Sequence, residues 1–152
     1  MRLAVEFHVD YVATLKRSID PTKFVTLLFL EPIPSYTGAI SKSQGGNMLG
    51  MEDVQSNAII WVAGVAVNGD EADLAIAQAE LNRMKARVKQ AAKSLNGDID
   101  LVYLNYADTT QDPIGSYGSK NVQFIQDVAA RYDPQGVFQT RIPGGFKVSR
   151  VA

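Results

Sequence analysis

The 152-residue sequence has no cysteine, one histidine (His8) and one tryptophan (Trp61). The missing cysteine excludes disulfides, thiolate nucleophiles and cysteine-based metal sites. With one histidine, a Ser-His-Asp triad or an imidazole metal centre would have to be built around His8, and no motif supports either. An excess of one charge is missing too. Lys and Arg number 15 and Asp and Glu 16, a net charge of -1. That balance gives no electrostatic footprint for nucleic acid or for an anionic membrane surface, and neither is expected as a partner. No apolar run reaches the roughly 20 residues that span a bilayer. The longest, Ala58 to Val67, has strand length. Glu6, His8 and Asp10 interrupt the first residues, which do not read as a signal peptide. There is no GxGxxG motif, no P-loop, no internal repeat and no low-complexity tract. Compartment stays unknown.

What is present reads as one domain over residues 1–152, long enough to bury a core. Ala4, Phe7, His8, Tyr11, Val12 and Leu15 fall at helical spacing, and Pro21 ends that helix. His8 lies on its apolar side, where a part-buried helix residue is the simplest reading. Phe24 to Leu30 is a β-rich apolar run, expected as a strand buried on both faces and closed by Pro32 and Pro34. Ser35 to Asn57 is polar and glycine-bearing, expected as a long loop with Gly45-Gly46-Asn47 at its centre. Ala58 to Val67 is the second strand, and Trp61 and Phe29 are expected in the core.

Asp70 is placed to cap a long helix striped with Leu74, Ala77, Leu81, Met84, Val88, Ala91 and Leu95, and Gly97 suits the left-handed position after it. Arg83, Lys85, Arg87, Lys89 and Lys93 alternate with that stripe and form its solvated face. Ile99 to Tyr106 reads as a third strand. Ser119 is placed to cap a last helix carrying Val122, Ile125, Val128 and Ala129 inward. The predicted order is helix, strand, strand, helix, strand, helix and an irregular tail. This is an α+β fold, a small mainly antiparallel sheet with helices packed on one face.

Tyr103, Asn105, Tyr106 and Asp108 put two phenols, an amide and a carboxylate at the end of the third predicted strand. Strand ends are where rigid scaffolds present functional groups. A phenol donates a hydrogen bond as it stands and acts as acid or base when a neighbour shifts its pKa. The plainer alternative stays open on spacing alone, with tyrosines in a sheet and Asp108 capping the turn into Thr109-Thr110. A regular strand would put Tyr103 and Asn105 on one face and Tyr106 on the other. Both tyrosines line one pocket only if the strand bulges or ends near Asn105.

The succession Tyr103-Leu104-Asn105-Tyr106-Ala107-Asp108, then Tyr117-Gly118 with Asn121, then Tyr132-Asp133-Pro134 with Phe138-Gln139, resembles the C-terminal end of the FAD-linked oxidases of the berberine bridge enzyme-like family. The likeness runs from Phe24 onward and takes in the Gly45-Gly46-Asn47 loop and Pro143-Gly144-Gly145-Phe146-Lys147. It implies the end of a substrate-binding domain whose sheet roofs a flavin. It implies that Tyr106 helps take a proton from substrate, that Tyr103 lines the pocket, and that Asn105 sits beside them. Asp108, Gly45, Gly46 and Asn47 are expected as substrate-binding residues. Family members hold FAD through an N-terminal domain, commonly by a histidine and often a cysteine there. No such domain is expected here, so no cofactor is expected. The implied function is that of a truncated, flavin-free relative that binds a small organic molecule of secondary-metabolite type. Such a protein would catalyse a cofactor-independent cyclisation or isomerisation. The alternatives are a fragment or subunit of an FAD-dependent oxidase and a non-catalytic binding domain. A homodimer is expected, because losing the flavin domain would bare an apolar face.

Overall fold

A computed structural model describes residues 1–52 and 54–151. In chain order the elements are α1 (Arg2–Ser18), β1 (Phe24–Ile33), α2 (Tyr36–Ser43), β2 (Ala58–Val67), α3 (Glu71–Ser94), α4 (Ser119–Tyr132) and α5 (Val137–Thr140), with short 3-10 turns between them. The class is α+β with one small antiparallel sheet. Two compact units share the chain: Met1–Pro32 with Ile59–Ile99, and Ile33–Ala58 with Asp100–Ala152.

The first unit is built on periodicity. Tyr11, Leu15 and Ile19 of the α1 segment and Ala77, Met84 and Val88 of α3 form a buried cluster. Phe24 and Leu28 of β1 and Trp61, Ala63, Val65 and Val67 of β2 pack against it. Helices thus lie on one face of the sheet. The strands pair with Asn68 N–H donating to the Lys23 carbonyl at 2.7 Å, while Gly64 sits over Leu27. β1 alternates rather than being buried on both faces: Phe24, Thr26, Leu28 and Leu30 are half-buried, and Val25 is 72% exposed. Phe29 follows Val25 outward, so it is not core. A two-stranded sheet makes β1 an edge strand, which is why it runs through Pro32 to Ile33.

The ends of α3 obey simple capping chemistry. The Asp70 carboxylate accepts the Asp73 N–H at 2.9 Å, with Glu71 and Asp73 in the first turn against the dipole. At the other end the left-handed residue is Asn96 (φ 52°), not Gly97. Asn96 N–H donates to Lys93 O at 3.0 Å and Gly97 N–H to Ala92 O at 2.9 Å, the paired bonds of a Schellman ending. Asparagine tolerates that conformation better than other side chains, so glycine is pushed one place along.

The second unit departs further from expectation. Ser35 to Asn57 is not an unstructured loop, for it contains α2, and its ends meet where Ser35 N–H donates to Asn57 Oδ1 at 2.9 Å. A Cβ on Gly38 would sit 2.7 Å from Met51 O, so glycine lets the returning backbone lie on α2. Ile99 to Tyr106 is not a strand. Residues 99–103 lack regular structure and Leu104–Tyr106 is a 3-10 turn. The Val102 N–H is satisfied by Ser116 Oγ at 2.9 Å instead of by a ladder. The residues favour β structure, but that preference acts only beside a partner strand. Pro113, Ile114, Tyr117 and Val122 form the buried centre of this unit. Gly118 (φ 87°) caps α4, and Ser119 is its first residue rather than its cap.

Candidate functional site

The end of the expected strand at Asn105 becomes a 3-10 turn, and that turn decides the geometry. Three residues per turn bring residues 103 and 106 to one side. The Tyr103 and Tyr106 rings meet edge to face, with centroids 5.3 Å apart and planes at 68°. Asn105 Nδ2 donates to Tyr103 Oη at 3.1 Å. That bond occupies an acceptor position of the Tyr103 phenol and leaves its O–H to point elsewhere. Tyr106 is 47% exposed.

A third phenol, not expected from the sequence, completes the cluster. Tyr117 is 9% exposed. Burial raises its pKa, the neighbouring Tyr103 raises it further, and the Leu104 backbone N–H donating to its oxygen lowers it in part. Its only sequence signal is its place in Tyr117-Gly118. The site therefore joins a buried tyrosine beside Tyr103 to the Tyr103–Tyr106 pair, all in the same unit.

The other expected site residues are placed as follows. Asp108 closes its own turn: its Oδ1 accepts the Thr110 N–H at 2.9 Å and the Thr110 hydroxyl at 2.6 Å, and its N–H donates to Gln111 Oε1 at 2.9 Å. Gly45 and Gly46 take positive φ (103° and 82°) just after α2, with Gly46 N–H bonded to Ser41 O at 2.8 Å. Asn47 ties down the loop that follows. Its N–H donates to Glu52 Oε1 at 3.0 Å, its Nδ2 to Ser41 Oγ at 2.7 Å, and its Oδ1 accepts Leu49 N–H at 2.8 Å.

An open concavity of about 350 Å³ lies in the same unit between α4 and the tail, lined by Gln126, Ala129, Asp133, Pro134, Gln139 and Ser149. Two of its polar side chains are engaged in structure. The Asp133 carboxylate accepts Val137 and Phe138 N–H at 2.7 and 2.9 Å, and Gln139 Oε1 accepts Ser149 N–H. The tyrosine turn is the candidate site, because it brings two phenols and an amide together.

No family model and no solved structure matches the chain. Curated proteins do. The FAD-dependent monooxygenase drtC of Aspergillus calidoustus is 33% identical over 142 residues, 93% of this chain and 27% of that protein. The FAD-dependent monooxygenase tpcD of Cochliobolus heterostrophus is 31% identical over 152 residues, 97% of this chain and 29% of that protein. This chain is similar to part of the fungal FAD-dependent monooxygenases. The bifunctional solanapyrone synthase of Alternaria solani is also similar, 29% identical over 122 residues. The chain spans 27–29% of the length of the first two relatives.

Gly45, Gly144 and Gly145 all take positive φ (103°, 74° and 67°) and have nothing within 4 Å of where a Cβ would stand. His8 sits in the first unit on α1, with a buried Nε2 that bonds to no protein group.

Proposed function

We propose that the tyrosine turn is the small-molecule face of a partial-length relative of the berberine bridge enzyme-like FAD-linked oxidases, working without a flavin of its own. The observation that carries this reading is the convergence of Tyr103 and Tyr106, at 5.3 Å, with the buried Tyr117 beside Tyr103. Tyr106, about half exposed, serves as hydrogen-bond donor or proton acceptor. Tyr103, turned by Asn105, positions the ligand. A molecule held against two rings loses conformational freedom, and holding a reactive conformer accelerates a cyclisation or isomerisation without a cofactor. Asp108, Gly45, Gly46 and Asn47 belong to this reading as residues that shape the surrounding turns.

The test uses the purified chain with its tyrosines replaced by 3-fluorotyrosine. Polycyclic and ketone-bearing probes are titrated in while the 19F resonances of Tyr103 and Tyr106 are followed. Saturable shifts that vanish in Tyr106→Phe support the reading. Probes that move only tyrosines outside the turn refute it.

One observation favours a second reading. The chain spans under a third of its relatives' length, which suits a piece or subunit that completes a flavoprotein formed with other polypeptide. Absorbance separates the two. A flavin spectrum in the purified protein, with flavin released on denaturation, supports the second and removes the first.

A further inference from the structure

Residues 113–121 touch both halves of the candidate site. On one side, Ser116 Oγ accepts the Val102 N–H at 2.9 Å and donates to Pro113 O at 2.6 Å. Tyr117, next along, offers its phenol oxygen to the Leu104 N–H and lies beside Tyr103. These contacts reach the turn carrying Tyr103 and Tyr106 from below. On the other side, Asn121 Nδ2 donates to Met48 O at 3.3 Å and to Tyr117 O at 3.1 Å. A Cβ on Gly50 would stand 2.9 Å from Tyr117 O, and Gly50 has φ 73°. The loop after Asn47 thus lies directly on the Tyr117 backbone, at a position that only glycine fills without strain.

We propose that Tyr117 and Asn121 are positioning residues: together they form a bracket that sets the Tyr103–Tyr106 turn and locks the Gly45–Gly50 loop to it, so that turn and loop shift as one body when a ligand binds. Three features support a dedicated role over ordinary packing. Tyr117 uses two separate groups, its phenol for the turn and its carbonyl for Asn121, which itself bonds the loop at Met48 O. Asn121 spends one amide on both the loop and Tyr117, where an apolar residue would fill the space without linking them. And Val102 and Leu104 take neighbouring side chains as acceptors, so the turn has no strand ladder to hold it and depends on this segment for its shape. Its relevance to function rests on the tyrosine turn being the working face.

The experiment is hydrogen exchange on the full chain, read residue by residue, with 3-fluorotyrosine resonances alongside. Amides in the last two turns of α4 report the stability of the second unit. Tyr117→Phe removes one hydroxyl and should speed exchange at Leu104 on the order of tenfold, shift the Tyr103 and Tyr106 resonances, and also speed exchange at 48–50. Asn121→Asp keeps the shape and loses the donor. It should loosen 48–50 first and Leu104 with it. Gly50→Ala is a third approach, from the loop side, and should give the same joint pattern. Effects that stay confined to each variant's own contact overturn the bracket, and so does uniform loosening that includes the last two turns of α4. No ligand is used, so the bracket can fail while small-molecule binding stands, and the reverse.

Discussion

The Tyr11 hydroxyl on α1 donates to the Ala77 carbonyl on α3 at 3.3 Å, across the one buried cluster of the first unit. Tyr11 is buried, and its phenol is pushed up to about 12, first by burial and then by Glu80. Removing the hydroxyl in Tyr11→Phe leaves the ring and should cost about 1 kcal/mol, read from urea unfolding with an unchanged slope. The raised pKa also sets an alkaline limit. The folded state holds the proton more tightly than the unfolded state does, so this stabilisation is complete below pH 10 and is lost as the pH rises from 10 towards 12. Tyr11→Phe should flatten that limb. An equally steep limb in the variant would assign it to other groups.

His8 sets the opposite limit. Its Nε2 is buried without a protein partner, and burial lowers its pKa below 6.5. A depressed histidine stabilises the fold where it is neutral in both states. That contribution is present above pH 6.5 and is lost as the pH falls below it. His8→Gln should remove this acid dependence. Thermal midpoints measured between pH 5 and 8 check it, and parallel curves for the two proteins would exclude His8.

Tyr106 separates function from stability. The residue is half exposed, so Tyr106→Phe should shift stability by no more than about 0.5 kcal/mol. Loss of probe binding at constant thermal midpoint is the expected result. A clear drop in the midpoint with binding intact would make the phenol structural.

Several large apolar side chains stand in solvent. Phe124, Val128 and Tyr132 follow one another at four-residue spacing on α4, and Phe138 and Val25 are also well exposed. Contiguous apolar surface favours association, and a symmetric homodimer is the simplest closed form. Sedimentation velocity at micromolar concentration should show a dimer. A single monomer boundary there would refute this.

α1, α3, α4 and β2 were legible because each announces itself locally. Ala58 to Val67 is an unbroken apolar run between turn signals, and α3 carries its own cap in Asp70. The Tyr103–Tyr106 pair was legible as residues but not as geometry. Strand parity sets the two rings on opposite faces, and only the 3-10 turn brings them together. The missing third strand has the same cause, since a β-rich segment stays extended coil where side chains such as Ser116 take its amides. Tyr117 was the hardest to find. A buried phenol beside another leaves no pattern along the chain, because its partners are set by tertiary contact.

The ending of α3 also sets how this protein ages. Asn96 precedes Gly97, the pairing most open to succinimide formation, in which the following backbone nitrogen attacks the asparagine amide. In the fold that nitrogen's hydrogen is held by Ala92 O at 2.9 Å, and Asn96 is fixed in a left-handed conformation. The attack needs a rotation that the helix ending resists. Deamidation at Asn96 should therefore be slow in buffer and fast in urea, as peptide mapping of aged samples would record. Equal rates in the two solvents would show that the ending gives no protection. Where the ending holds, isoaspartate at Asn96 becomes a running count of the time each molecule has spent unfolded.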